Sequence, residues 1–254
     1  RSNEALWRGT HWREEAIREG EPQPVTPVLF STVENILGDL ADSYPEAVLR
    51  GEGPEDDEAA ARLTRAVDAL LTRMDYQATY VMKCRSVLKF GLAVQQVVWD
   101  PSKLNGLGDI AVTAIPVRNF LYDPEVDDFQ LGRACFTFGF YTPEWLEQEY
   151  GDLARDMQPD RYRPPQDDDG ATGRDDRKLR MVMEYWYRDR DGVTGLPRVH
   201  MARIGGGVLL YDSREDFPDG LYRHGRYPFI VEALYPLEGE VPGLGICDLM
   251  GDLQ

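Results

Sequence analysis

The sequence contains few cysteines and few histidines, and it has no long apolar run. Its 254 residues include 3 cysteines, Cys84, Cys135 and Cys247, and 3 histidines. An odd number of widely separated cysteines does not form a disulfide framework, so we expect buried free thiols. No run approaches the roughly 18–20 apolar residues of a membrane span, and the charged residues 1–15 do not form a secretory signal. The composition predicts a soluble, intracellular protein with no membrane partner.

Positive charge is also scarce. There are 28 lysines and arginines against 45 aspartates and glutamates, which gives a formal charge of −17. A protein that grips nucleic acid neutralises phosphates with clustered Lys and Arg side chains. The acidity therefore argues against tight, sequence-independent wrapping of nucleic acid, although it is compatible with nucleic acid that only passes by.

The first ninety residues have the apolar spacing of helices. A helix is predicted over 3–19, and a second one begins at Thr26-Pro27, an N-cap followed by a proline at the first helical position, and ends near Tyr44-Pro45. The acidic residues 55–58 suit the positive N-terminal end of a third helix. A fourth helix is predicted over 77–90.

The third of these helices is predicted to bury one apolar face, because its apolar residues recur at three- and four-residue spacing. That face consists of Leu63, Ala66, Val67, Leu70, Leu71 and Met74. The last residues show a similar stripe at Ile246, Leu249, Met250 and Leu253. We therefore expect a fragment that stops inside a helix.

After Gly91 the apolar period changes from 3.6 to 2, which is typical of strands. Segments 92–99 and 109–117 predict an antiparallel hairpin across a turn with Asn and Gly. A short helix is predicted over 142–150. Further strands are predicted over 136–141, 181–188, 199–204, 208–211 and 229–235.

The predicted fold class is α+β, with helices first and an antiparallel β portion second. The predicted parts are a helical part, 1–91, a β-rich part, 92–241, and the start of a helix, 242–254. Residues 152–178 are rich in Asp, Arg, Pro and Gly and have almost no apolar side chains. We expect them to form an exposed or disordered insertion.

The segment from Gly106 to Ala111 matches the dinucleotide pattern G-x-G-x-x-A. That mechanism requires a following helix whose N-terminal amides hold the pyrophosphate, whereas residues 111–116 have a strand pattern. A hairpin turn without a cofactor is therefore the better interpretation.

A second candidate is the run of alternating carboxylates Asp123, Glu125 and Asp127, which resembles a calcium loop. An EF-hand also needs Gly at the sixth position and Glu at the twelfth, where this sequence has Asp128 and Ala134. We predict an exposed acidic turn without a metal.

The remaining candidates are scattered histidines and a cysteine. His11 and Glu15 have a spacing that a metal could use, but no second His or Cys accompanies them. His200 and His224 have no Ser or Cys nucleophile motif around them, and Cys84 lies in a mixed helix. We predict no catalytic, cofactor-binding or metal residue.

Aromatic residues offer one more possible surface. Such side chains can stack on sugars or bases, but they more often fill cores and interfaces. They are Trp7, Trp12, Trp99, Trp145 and Trp186, the last within the run Tyr185-Trp186-Tyr187.

An ordered set of segments resembles the N-terminal region of bacteriophage portal proteins, the head-to-tail connectors of tailed phages. The set is Thr26 to Leu40 followed by Tyr44-Pro45-Glu46, Phe90 to Pro101, Gly108-Asp109-Ile110, Ile115 to Pro124, Trp145 to Tyr150, Pro242 to Asp248 and Leu253-Gln254. The resemblance covers about residues 26–254, interrupted by 152–178.

The resemblance implies a structural subunit of a twelve-membered ring at one capsid vertex of the virion, assembled in the host cytoplasm. Implied partners are the terminase large subunit, capsid and scaffolding proteins, a tail adaptor, and double-stranded DNA that passes through the channel. The chain would be the wing, with the helix after Pro242 leading to the stem, so DNA-contacting residues are unknown. Its acidic wall would repel sliding DNA.

Two other functions remain open at this stage. One is a hydrolase that uses an acidic pair or a metal near Asp123, Glu125 and Asp127. The other is an adaptor module of the same virion. A metal-dependent melting shift would favour the metal enzyme, and contact with a motor ATPase distinguishes the adaptor.

Overall fold

A computed structural model describes residues 3–10, 25–158 and 179–251. The chain forms two compact units. We call Arg1–Val117 with Pro228–Gln254 the helical unit, and Arg118–Tyr227 the sheet unit. Helices lead and antiparallel sheets follow, so the predicted α+β class is confirmed. Within the described ranges, no helix has the length and apolar character needed to cross a membrane.

The helices are α1 (Asn3–Arg8), α2 (Val28–Asp42), α3 (Asp57–Arg73), α4 (Tyr76–Phe90), the short turn α5 (Lys103–Gly106), α6 (Pro143–Tyr150), α7 (Asp152–Arg155), α8 (Ser213–Asp216) and α9 (Ile246–Met250). The strands are β1 (Leu92–Asp100), β2 (Asp109–Ile115), β3 (Phe120–Tyr122), β4 (Ala134–Tyr141), β5 (Arg180–Arg190), β6 (Pro197–Gly205), β7 (Val208–Asp212), β8 (Phe229–Ala233), β9 (Tyr235–Pro236) and β10 (Gly243–Leu244).

The core of the helical unit lies where α1, α2, α4 and α9 meet. The helical spacing of α2 places Leu29, Val33 and Leu37 on one buried face, which packs against Leu88 of α4. The start of α2 differs by one residue from the prediction, because the helix begins at Val28 and the N-cap position is Pro27. Burial of this apolar stripe is what stabilises the four helices together.

Polar contacts attach α1 to this core. Lys89 of α4 is almost fully buried, and its ammonium group lies 4.0 Å from the ring centre of Trp7 and pairs with Glu4. Burial opposes ionisation of Glu4, but Lys89 and Arg8 outweigh it, so the pKa of Glu4 lies below its usual value. The paired charge explains how a lysine can be buried here.

A three-stranded antiparallel sheet with the order β2-β1-β8 completes the helical unit. Strands β1 and β2 form the predicted hairpin, in which Val94 pairs with Ile115 and Asp100 with Asp109. The predicted fourth helix ends at Phe90, and Gly91 follows in the left-handed conformation with φ +69°. The change of period at Gly91 is therefore confirmed.

The sheet unit contains a five-stranded antiparallel sheet with the order β3-β4-β5-β6-β7. Helix α6 begins as predicted, since the Thr142 hydroxyl accepts a hydrogen bond from the Trp145 amide at 3.3 Å. Leu146 of α6 packs against Val182 and Leu210 of the sheet. One face of the sheet is thus covered by the α6 region.

Two predicted segments are wrong in part. The helix predicted over 3–19 ends at Arg8, because Gly9 has φ +73°; residues 11–19 lie outside the described residues. The exposed insertion predicted over 152–178 is wrong at its start. There α7 forms, and Met157 is buried in the same cluster as Leu146. Residues 159–178 are not among those described.

The predicted apolar face of α3 is wrong. Ala60 is the buried residue, whereas Leu63 is 54% exposed and the rest of the predicted face is exposed or half-buried. The predicted stripe of α9 is confirmed in part, because Ile246 is buried and Met250 packs against the same core, while Leu249 is 53% exposed. Leu253 lies outside the described residues. Spacing predicts that one face is apolar, but a packing partner decides whether that face is buried. The predicted division into 1–91, 92–241 and 242–254 stays a prediction.

Candidate functional site

The G-x-G-x-x-A segment forms the turn of a hairpin. The Gly108 amide donates to the carbonyl of Lys103 at 2.9 Å, and β2 follows from Asp109. No helix N-terminus is available there for a pyrophosphate, so the predicted hairpin turn is confirmed. Leu104 and Asn105 adopt left-handed conformations with φ +51° and +57°.

The acidic run after β3 is a turn held together by an arginine. Both oxygens of the Asp123 carboxylate accept hydrogen bonds, one from the Glu125 amide at 3.2 Å and the other from the Arg133 amide and guanidinium. These contacts hold the pKa of Asp123 below its usual range. Arg133 also donates to Glu125 at 3.0 Å. A guanidinium therefore already supplies positive charge to this turn.

No group of three or more His, Cys, Asp or Glu side chains that could hold a metal ion occurs within residues 3–10, 25–158 and 179–251. His200 is almost fully buried, and its Nε2 lies 3.5 Å from the Asp189 carboxylate. The ring of His224 stacks on Tyr222 at 5.3 Å. His11 and Glu15 fall outside the described residues. The structure therefore does not bring the described histidines together with a nucleophile.

All three cysteines are free and buried, as predicted. Cys84 and Cys247 contribute to the core of the helical unit. Burial raises the pKa of the Cys135 thiol, and it raises the pKa of Cys247 to about 11. Because the thiolate is the nucleophile, buried thiols with raised pKa values are poor nucleophiles.

We expect the three thiols to be unreactive toward Ellman's reagent at pH 8 in the folded protein. A thiol with a pKa near 11 is only about one thousandth ionised at that pH, and burial also blocks access. All three should react at once when guanidinium chloride unfolds the chain. Rapid labelling of any of them in native buffer would contradict the buried placement.

The tryptophans that the structure describes occupy separate environments. Trp7 packs on Phe30 with ring centres 5.3 Å apart, and Trp145 stacks on Tyr141 at 4.5 Å. Trp186 is buried, and Trp99 is 60% exposed. Trp12 lies outside the described residues.

The run Tyr185-Trp186-Tyr187 alternates across the sheet. Trp186 is buried on one face, while Tyr185 stacks on Tyr187 and on Phe136, both at 4.9 Å, on the other. Successive strand residues point to opposite faces, so the three aromatic rings cannot form one stacking surface.

Exposed carboxylates are concentrated between α2 and α3. We call residues 39–58 the acidic segment. The acidic residues in this range are all exposed; they are Asp39, Asp42, Glu46, Glu52, Glu55, Asp56, Asp57 and Glu58. Glu58 forms an ion pair with Arg62 on the next helical turn, at 3.3 Å. The segment is therefore a strongly negative surface of the helical unit.

A groove of about 440 Å³ lies between residues 44–48 and one face of α3. Thr64, Arg65, Asp68 and Leu71 line its helical side. Val48 is 67% exposed at its other side. Sequence reasoning missed this groove, because it assigned the apolar residues of α3 to the core. The exposed apolar side chains beside the Tyr44-Pro45 break are the signal that could have indicated it.

The described residues thus contain an exposed acidic segment and an open groove. The profile of one protein family, described as phage P22-like portal protein, matches residues 1–221. The chain belongs to this family. The resemblance to bacteriophage portal proteins is therefore confirmed. No curated protein matches the chain.

Membership of the portal family indicates how the exposed surfaces of this chain are to be interpreted. Portal proteins are structural head-to-tail connectors of bacteriophages, found as an oligomeric ring at a vertex of the capsid. The acidic segment and the groove are exposed surfaces of this portal chain.

Proposed function

We propose that the chain is the wing region of a portal subunit that forms a ring of twelve around a DNA channel. Double-stranded DNA enters the capsid through this ring during packaging and leaves through it at ejection. The terminase large subunit, capsid and scaffolding proteins and a tail adaptor dock on the ring. The subunit is a structural protein and not an enzyme, and it assembles in the host cytoplasm before it becomes part of the virion.

The family match over residues 1–221 carries this proposal. The described structure supports it with an open groove beside residues 44–48, which is a surface available to a neighbouring subunit. The described residues also contain no metal cluster, and Arg133 pairs with Asp123 and Glu125 of the acidic turn. No observation therefore favours the hydrolase over the portal.

Electron microscopy of the intact portal protein in negative stain tests the proposal. We expect rings with a central hole, and a large oligomer in sedimentation velocity. A globular monomer with measurable hydrolase turnover would be the opposite result, and a melting temperature that rises with added metal would point to the metal enzyme.

We further propose that the acidic segment faces the DNA path. DNA has to slide through the channel without being held, and carboxylates repel phosphates, whereas lysines would bind them with an affinity that grows with each neutralised phosphate. The exposure of the carboxylates in residues 39–58 supports this role.

The variant with Asp39→Lys, Asp42→Lys and Glu52→Lys should therefore slow the release of DNA from particles, and added salt should restore the rate. If all three lysines engage phosphates, the logarithm of the DNA binding constant should fall with the logarithm of salt with a slope of about −2.7. Two of the lysines lie at the C-terminal end of α2, where positive charge suits the helix dipole. Folding should therefore be preserved.

The matched control reverses three exposed carboxylates of the sheet unit, Glu147, Glu149 and Glu215. Release of the genome is followed by the fluorescence of a DNA-binding dye outside the particle. Equal slowing in the two variants would remove the special role of the acidic segment, and so would a ring reconstruction in which these carboxylates point away from the lumen.

A further inference from the structure

Helix α1 depends on its neighbours for its conformation. It has six residues, of which Leu6 is buried in the core of the helical unit. A helix this short is not stable on its own in water. Within the described residues, α1 packs against α2, α4 and α9. Formation of α1 and its docking on these three helices are therefore a single event.

Asn3 of α1 joins the end of α4 to the start of α9. Its side-chain amide donates one hydrogen bond to the Lys89 carbonyl at 3.0 Å and a second to the Asp248 carboxylate at 2.8 Å. The last carbonyls of a helix have no partner inside the helix, so the first bond supplies one to α4. The second bond ties α1 to the first turn of α9.

The carboxylate of Asp248 serves both α1 and α9. One of its oxygens accepts the hydrogen bond from Asn3, and the other accepts a hydrogen bond from the Gly245 amide at 2.8 Å. The bond to Gly245 caps the N-terminus of α9. Loss of α1 would remove a contact that orients the capping side chain. The seat of α1 and the start of α9 are therefore coupled through one side chain.

The surface beneath α1 contains a group that tolerates exposure to water. The Lys89 ammonium is covered by Glu4 and by the ring of Trp7, and it would be hydrated if α1 left, because a lysine in water needs no protein partner. The buried Nε1 of Trp7 has no hydrogen-bond partner among the described residues. Release would let water satisfy it. These gains offset part of the apolar contact that Leu6 would lose.

We propose that α1 is a releasable clasp that fixes the direction in which α9 leaves the end of α4. In the docked state, which the structure shows, the clasp holds the first turn of α9. In the released state, α9 is free to change its direction. The role of the clasp rests on the proposed function, because the resemblance to portal proteins implies that the helix after Pro242 leads to the stem. The clasp couples the wing to that helix.

Amide hydrogen exchange followed by mass spectrometry tests the clasp in the intact chain. Asn3→Asp removes the donor to the Lys89 carbonyl and places a second carboxylate beside Asp248. We expect exchange to accelerate by at least about tenfold in residues 3–8 and 246–250 together, and to stay unchanged in β4, β5 and β6. Acceleration in residues 3–8 alone would show that α9 does not depend on α1, and it would overturn the clasp.

The thiol of Cys247 gives an independent readout, because it is buried in the same cluster as Leu6. In Asn3→Asp it should be alkylated faster than in the unmodified chain, while Cys135 of the sheet unit should keep its rate. Equal acceleration of both thiols would mean that the whole chain unfolds, and this result would also overturn the clasp.

A second substitution should reverse the effect. Asp248→Asn, added to Asn3→Asp, restores an amide–carboxylate pair between the two positions and keeps a carbonyl oxygen for the Gly245 amide. Exchange and alkylation should therefore slow again, and failure of this rescue would contradict the shared role of Asp248. Gln148→Glu is the matched control, because it adds a carboxylate to the exposed surface of α6 and should change neither readout.

These readouts do not depend on ring formation. Exchange of α9 that is uncoupled from α1 would overturn the clasp and leave the ring intact. Absence of rings from the intact portal protein in negative stain would overturn the proposed function, and the coupling between α1 and α9 would still be measurable.

Discussion

Gly91→Ala should lower the free energy of unfolding by at least about 3 kcal/mol. Gly91 has φ +69°, and a methyl group there would lie 2.1 Å from the carbonyl oxygen of Gly243. The left-handed conformation alone costs alanine about 1–2 kcal/mol. The atoms in the way belong to the backbone, so the clash cannot be relieved by rotating a side chain. Urea denaturation followed by circular dichroism measures the loss.

Gly106→Ala is the matched control. Gly106 also has a positive φ, +90°, but a methyl group there meets nothing within 4 Å. This variant should lose only the conformational part, about 1–2 kcal/mol. If both variants lose the same free energy of unfolding, the close approach of Gly91 to Gly243 does not account for the loss in Gly91→Ala.

The loss of stability expected for Gly91→Ala is large because three parts of the helical unit meet at Gly91. The carbonyl of Gly91 accepts hydrogen bonds from the amides of Leu234 and Gly243, at 3.2 and 3.3 Å. A methyl group at Gly245 would in turn lie 2.6 Å from the Gly91 nitrogen. The end of α4, the exit of β8 and the start of α9 can therefore approach closely only through glycines.

The second large effect is expected from Leu29→Ala, which should lower the free energy of unfolding by about 2–5 kcal/mol. Leu29 is fully buried where α2 packs against α4, α1 and α9. Alanine would leave a cavity in a core whose members come from distant parts of the chain. The same denaturation experiment measures this loss.

Leu63→Ala in α3 is its control, because Leu63 is 54% exposed. Its change should stay within about 0.5 kcal/mol. The spacing of apolar residues in α3 predicts that Leu63 is buried, so a loss comparable with that of Leu29→Ala would contradict the exposed placement of Leu63.

Much of the fold could be predicted from local pattern. The break at Gly91, the hairpin of β1 and β2, and the capped start of α6 at Thr142 all depend on residues adjacent in sequence. Conformational preference and capping act over a few residues, so a reader of the sequence can recognise them. The same holds for the rejection of the dinucleotide motif, since a strand pattern followed it.

The candidate surfaces could not be predicted in this way. The apolar residues of α3 have the same spacing as those of α2. The apolar face of α2 is nevertheless buried, whereas α3 lines an open groove. Met157 lies in a polar stretch of sequence but packs beside Leu146. The pairing of Arg133 with Asp123 joins residues ten apart across an irregular turn. Each outcome depends on what lies opposite in space.

The sequence by itself thus determined the order and type of most elements, the buried free thiols, the acidic balance and the resemblance to portal proteins. Only the tertiary structure decided which apolar faces are covered and which remain open, as the groove beside α3 does. The physical reason is that helix and strand formation is encoded by near neighbours, whereas burial is a property of pairs of surfaces that the chain brings together from distant positions.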